Sequence, residues 1–165
     1  KDADVRQSAA RSLGAIGNSR AVKPLVAALK DEHDRVRIAA ISALGKMKDD
    51  RAIKPLIGTL GDGNSTVRER ATEALAKIGD PVVEPLIGAL RDENWGFIQR
   101  TRKAVGSLAA TRSMNPAVDA FMDSGDTYRF FVGLALERVT GQDFGQDHAK
   151  WQEWWEQEKY DIDRR

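Results

Sequence analysis

Residues able to do chemistry are few in this 165-residue chain: His33 and His148, the serines Ser8, Ser12 and Ser42, and the stretch GDGNS at residues 61–65. A metal site needs several imidazole, thiolate or carboxylate ligands converging in register. His33 stands alone in an acidic loop and His148 has no second ligand at helical spacing, so both read as solvated side chains. A serine nucleophile needs a base within reach, and none lies near these three in sequence, so they read as packing or surface residues. GDGNS lacks both the preceding strand and the lysine of a phosphate-binding loop; it reads as a turn with Asn64 or Ser65 capping the next helix. Cysteine is absent, which removes disulfides, thiolate metal sites and cysteine nucleophiles. No catalytic residue, cofactor or metal ligand is therefore assigned.

The elements that would position any working surface are repeated. Pro24, Pro55 and Pro85 recur 31 and 30 residues apart, and Val5-Arg6, Val36-Arg37 and Val67-Arg68 recur every 31. Val5, Ala9, Leu13 and Ile16 become Val36, Ala40, Leu44 and Met47, then Val67, Ala71, Leu75 and Ile78, a spacing that marks one face of a helix. A second helix carries Val22, Leu25, Val26 and Leu29, with counterparts Ile53, Leu56, Ile57 and Leu60, then Val83, Leu86, Ile87 and Leu90. Each unit is a helical hairpin that cannot bury its apolar stripe alone, so the units must stack. The prolines fit if the second helices begin near Lys23, Lys54 and Glu84, after a separate tight turn of 3₁₀ type, because the first helical turn needs no proline N–H. Asp2, His33, Asn64, Asn94 and Gly125 stand at the predicted N-caps, and glycines close the first helices at Gly17 and Gly79.

Units such as DEHDRVRIAAISALGKMKDDRAIKPLIGTL resemble the HEAT-like repeats named after phycobilisome lyases, strongly over residues 1–94 and more weakly over 95–140. The resemblance implies an all-α, right-handed superhelical solenoid whose second helices line the concave side. It also implies an Asp–Arg ladder between units, here Arg6, Asp31, Arg37, Asp62, Arg68 and Asp92, with Arg129 matching again and Ile98 interrupting it in the fourth unit. Metal-binding relatives of this architecture use His-Glu pairs, which this sequence lacks. On the concave side the outward column would be Lys23 and Ala27, Lys54 and Gly58, Glu84 and Gly88. Glycine inside a helix costs about 1 kcal/mol relative to alanine, so the two in this column serve either a closely approaching partner or close packing between second helices.

The expected organisation is about five hairpins, at residues 1–30, 31–60, 61–91, 92–123 and a partial 124–140, followed by a tail at 141–165. All eleven aromatic residues lie at or after Trp95. The fourth unit keeps the frame loosely, with Phe97, Thr101, Val105 and Leu108; the fifth restarts with Tyr128, Val132, Leu136 and Val139. In the tail, Thr140-Gly141 and Phe144-Gly145-Gln146-Asp147 precede Trp151, Trp154 and Trp155, which share one helical face. Similar tails end many microbial HEAT-like proteins. Phe144 and the three tryptophans are expected to cap the stack, the alternative being an aromatic cage for a ligand. At the other end, Lys1 opens directly onto a first helix whose outer side no unit covers, which predicts either upstream sequence or self-association through this end.

With 26 basic against 25 acidic residues the chain has no general basic excess for nucleic acid or a membrane surface. No apolar run approaches the roughly 18 residues needed to span a bilayer. A cytoplasmic location is the default expectation. The function expected is a non-enzymatic scaffold that binds another protein or peptide on its concave face. The rival readings are a bilin lyase or chromophore chaperone, which would need a chromophore pocket, and a HEAT-like DNA-binding protein, which would need a strongly basic groove that Lys23, Lys54 and Glu84 do not supply.

Overall fold

The computed structural model describes residues 2–91 and 125–162. Among these residues the chain is helical throughout, with no strand. Three hairpins follow one another: α1 (Ala3–Ile16) with α2 (Val22–Ala28), α3 (Asp34–Met47) with α4 (Ile53–Thr59), and α5 (Ser65–Ile78) with α6 (Val83–Arg91). Two further helices are α7 (Gly125–Thr140) and α8 (His148–Ile162). The fourth unit, residues 92–123, lies outside the described residues, and so do Asp92, Ile98 and the stripe Phe97, Thr101, Val105 and Leu108.

A 3₁₀ turn precedes each short helix, at Ser19–Ala21, Asp50–Ala52 and Asp80–Val82. Its first bond is a backbone N–H of Ala21, Ala52 or Val82 donating to the carbonyl of Asn18, Asp49 or Gly79 at 2.8, 2.9 and 3.1 Å. The α-helix then starts at Val22, Ile53 and Val83, one residue earlier than expected, which puts Pro24, Pro55 and Pro85 third in their helices. The first four N–H groups of a helix have no intrahelical acceptor, so proline gives up nothing there.

The long helices end alike. The N–H groups of Gly17, Lys48 and Gly79 donate back to Leu13, Leu44 and Leu75 at 3.1, 3.2 and 3.2 Å, all three at positive φ. Lys48 takes this left-handed position without being glycine, at a cost of about 1–2 kcal/mol. At the start of α5 the Asn64 carboxamide accepts from the N–H of Thr66 at 2.9 Å, whereas His33 begins α3 with no side-chain cap bond.

The core is a continuous aliphatic column. Val36, Ala40 and Leu44 of α3, and Val67, Ala71, Leu75 and Ile78 of α5, are buried, together with the second-helix stripes, of which only Val26 is half-buried. Each hairpin packs on the one before it, α3 against α1 and α2, and α5 against α3 and α4. The corresponding stripe of α1 is the exception: Val5, Ala9 and Ile16 are exposed.

Helices α1 and α3 meet backbone to backbone. A Cβ on Gly14 would stand 2.5 Å from the Cβ of Ala43 and 2.9 Å from its Cα. One unit later, a Cβ on Gly45 would lie 2.8 and 2.9 Å from the same atoms of Ala74. The glycine–alanine pair thus fixes the spacing of successive units, and Ser12 holds on α1 the register of Ala43 and Ala74.

Helix α7 packs on α5 and α6, and α8 packs on α6. Val132, Ala135 and Leu136 of α7 join the core, as does Trp151 of α8. The result is an all-α solenoid whose described C-terminal helices sit against the third hairpin.

Candidate protein-interaction surface

The short helices bury one stripe and turn the other outward. Pairs four residues apart therefore come to the surface: Lys23 and Ala27 on α2, Lys54 and Gly58 on α4, Glu84 and Gly88 on α6. All are exposed except Gly58, which is half-buried. A Cβ added at Gly88 would meet no atom within 4 Å, so nothing among the described residues requires glycine there for close helix packing. Chemically the column is two ammonium groups and one carboxylate beside a strip of small residues. It presents no field of one charge sign.

Arginine–aspartate pairs bridge successive units at the loops that follow the short helices. Arg6 forks onto Asp31, Nε to Oδ2 at 2.6 Å and Nη2 to Oδ1 at 2.9 Å. Arg37 repeats the reach toward Asp62, with Nη2 donating to Oδ1 at 3.0 Å and Nε 2.9 Å from Oδ2. Each aspartate also accepts a loop N–H two residues on, from His33 at 3.0 Å and Asn64 at 2.9 Å. The hydrogen bond from Arg6, helped by that of the His33 N–H, holds the Asp31 carboxyl down to about 2 against some burial cost. Each arginine also ties down its own unit's loop: Arg37 Nη1 donates to the Asp31 carbonyl at 2.9 Å, and Arg68 Nη1 to the Asp62 carbonyl at 2.6 Å.

Arg68 is buried, and burial lowers its pKa. Its implied partner Asp92 lies outside the described residues; its guanidinium stands 4.9 Å from the ring centroid of Phe131 on α7. Arg129 is half-buried and makes no ion pair among the described residues. Two links between units went unpredicted: Asn64 Nδ2 donates to Asp34 Oδ2 at 2.9 Å, and Arg51 Nη2 donates to the Ser19 carbonyl at 3.0 Å. Phe131 and the pairs Gly14–Ala43 and Gly45–Ala74 were missed too, although Gly14 and Gly45 recur at the repeat spacing.

The tail brings its aromatics together. Trp151 is fully buried and its indole N–H donates to the Gly145 carbonyl at 2.9 Å. Phe144 stands edge-on to it at 4.9 Å between centroids, Trp154 edge-on at 6.0 Å, and Trp155 continues the row 6.2 Å from Trp154. Phe144, Trp154 and Trp155 are half-buried. The loop carrying Gly145 lies on the α7 backbone, where a Cβ on Gly133 would come within 2.4 Å of the Gly145 carbonyl oxygen. Asp143 and Asp147 cap here, accepting from the N–H groups of Gly145 and Lys150 at 3.0 and 3.2 Å. A shallow hollow of about 200 Å³ beside Trp154 is lined also by Phe144, Lys150 and Glu153.

His33 is exposed, with Nε2 3.6 Å from a Glu32 oxygen, and Ser8, Ser12 and Ser42 are exposed. Among the described residues no group of three or more histidine and carboxylate side chains gathers to hold a metal ion. No described helix is long and apolar enough to cross a membrane.

Comparison with known families follows the same division of the chain. Residues 1–76 match the model of HEAT repeats, and residues 67–92 match that of the PBS lyase HEAT-like repeat. No curated protein matches the chain. Hairpins stacked at the repeat spacing, bridged by arginine–aspartate pairs and matched by two HEAT models over residues 1–92, make this chain a HEAT-like repeat protein.

Proposed function

We propose that the chain is a non-enzymatic scaffold that binds another protein or peptide along the outward column of its second helices. The observation that carries this reading is Gly88, a helix-interior glycine with open space where its side chain would be. A glycine that costs about 1 kcal/mol of helix propensity and relieves no clash among the described residues is accounted for by a partner that comes close. Lys23, Lys54 and Glu84 give the column mixed charge, so binding should depend on shape and only weakly on salt. We also read Phe144, Trp151, Trp154 and Trp155 as a cap on the stack, a reading supported by the burial of Trp151 and its bonded indole N–H.

The test compares wild type with Gly88→Leu and Gly58→Leu, measuring melting temperature and the proteins retained from native lysate by mass spectrometry. Gly88→Leu should melt at or above wild type, by helix propensity, and should lose a protein that wild type retains. A Gly88→Leu variant that melts low, or one that retains the same proteins as wild type, overturns the reading.

A further inference from the structure

A second surface lies on the first helices, away from the column just described. Where α1 passes α3, the Gly14–Ala43 contact draws the two backbones together and leaves a hollow of about 320 Å³ beside it. Its floor is small and aliphatic: Gly14, Ala39 and Ala43, with Ile38 at one side. Its rim carries two cations from different helices, Arg11 on α1 and Lys46 on α3. Both are exposed, and neither is engaged in an ion pair among the described residues. Gln7 and Ser42 add neutral hydrogen-bonding groups, and no carboxylate lines the hollow.

Among the described residues, this unopposed charge sets the α1–α3 groove apart from its neighbour. Moving one unit along the repeat turns Arg11 into Ser42, Ile38 into Glu69, Ala39 into Arg70 and Ser42 into Glu73, while Lys46 becomes Lys77. The equivalent place between α3 and α5 therefore balances two cations with two carboxylates, and Arg70 pairs with Glu73 at 2.9 Å, whereas the first groove has two cations and no carboxylate. In a chain whose net charge is only +1, an unbalanced cationic rim at one of the two described first-helix grooves is a local feature.

We propose that the α1–α3 groove binds an acidic peptide segment. An aliphatic side chain of the segment rests on Ala39 and Ala43, and its flanking carboxylates pair with Arg11 and Lys46. Gln7 and Ser42 then bond to the peptide main chain. The floor has no aromatic ring on which a nucleobase could stack. Helical backbone N–H groups along α1 and α3 are already bonded within the helices, so the groove offers no cradle for phosphate alone. The partner is thus recognised by carboxylates presented on an apolar backbone.

The probe is a fluorescein-labelled peptide of alternating glutamate and leucine, titrated by anisotropy beside its glutamine-for-glutamate counterpart. Wild type should bind the glutamate peptide, more weakly as salt rises, and bind the glutamine peptide at least about tenfold less well. Arg11→Glu combined with Lys46→Glu should weaken binding by about tenfold or more at unchanged melting temperature, since surface charges add little to stability. Ser42→Trp, which fills the groove and keeps its charge, should weaken binding likewise. Lys23→Glu combined with Lys54→Glu should leave it unchanged, as should Gly88→Leu, which separates this site from the second-helix column. No binding by wild type, equal loss in both charge-reversed variants, or complete displacement of the peptide by inorganic phosphate would each overturn the proposal.

Discussion

The first and last described helices of the stack treat the same problem differently. On α1, Val5 is 62% exposed and Ile16 71%, while at the same register Val67 is 0% exposed and Ile78 8%. Residue type and spacing are the same; the difference is the hairpin that covers α3 and α5 and is missing from the described face of α1. The last described helix, α8, carries aromatic residues where the repeat carries an aliphatic stripe. It uses Trp151, 0% exposed, with Phe144 and Trp154 packed edge-on against it. In a stack, burial is a property of the neighbour as much as of the residue. On the cap reading proposed above, one aromatic helix replaces what a repeat achieves with several small aliphatic contacts, because a tryptophan removes some 150–250 Å² from water at one position.

The strongest way to break this comparison is at Trp151. Its replacement by alanine should cost about 3–5 kcal/mol in urea unfolding, from lost burial and the cavity left behind, and it also orphans the Gly145 carbonyl. Trp155→Ala, half-buried at the end of the row, should cost less than half as much. Equal and small losses at both sites would mean that α8 closes nothing.

The hairpins were readable because a 31-residue period repeats each apolar position, and a stripe at helical spacing has to be buried. The prolines were readable because only the first helical turn tolerates them. The ladder came from family resemblance, since nothing in the spacing of Arg6 and Asp31 alone says that a guanidinium bridges the loop to the next unit. Two features were hidden for physical reasons. Gly14 and Gly45 look like helix-end or flexibility signals, and only three-dimensional stacking shows that their missing Cβ sets the distance between units. The packing of α7 on α5 and α6 joins residues far apart in sequence, where no local period connects them. For the second-helix column, exposure followed from periodicity, but the open space over Gly88 did not.

Next in size is the glycine contact between units. Gly45→Ala puts a Cβ 2.8 Å from the Cβ of Ala74 and 2.9 Å from its Cα, so α3 and α5 must move apart. Overpacking of this kind costs about 1–3 kcal/mol, against a helix-propensity gain of about 1 kcal/mol. The net should be a loss. Gly88→Ala, with open space at the same chemical change, should instead gain up to about 1 kcal/mol. Thermal melts of the two variants should therefore shift in opposite directions, and a shared sign would remove the distinction between packed and open glycines.

A smaller effect lies in the ladder, and pH exposes it. The Asp31 carboxyl titrates at about 2 in the folded chain, against 3.8 when unpaired, through its bond from Arg6. A carboxyl with a depressed folded value adds stability that is fully present above the unfolded value. That contribution fades as pH falls from about 4 through 2. Arg6→Gln keeps a hydrogen-bonding side chain but removes the charge. It should lower stability near neutrality and flatten the loss between those pH values. An unchanged acid limb in the variant would show that the Arg6–Asp31 fork does not survive in solution.

The smallest expected effect is the sharpest test of the open end. Valine to threonine is nearly isosteric and almost neutral in helix propensity, so it reads solvation at Val5 and Val67 with little change in packing. At Val67 the hydroxyl would enter the core, but helical threonines can bond backward, as buried Thr72 does to the Arg68 carbonyl at 3.0 Å. That partial compensation should hold the cost of Val67→Thr to about 1 kcal/mol, the low end for a buried hydroxyl. At Val5, 62% exposed, the same change should stay within about 0.5 kcal/mol of zero. Denaturant midpoints at several protein concentrations would decide the matter. Equal losses at the two sites would mean that Val5 is covered in solution. Stability that rises with concentration would then identify the cover as a second copy of the chain.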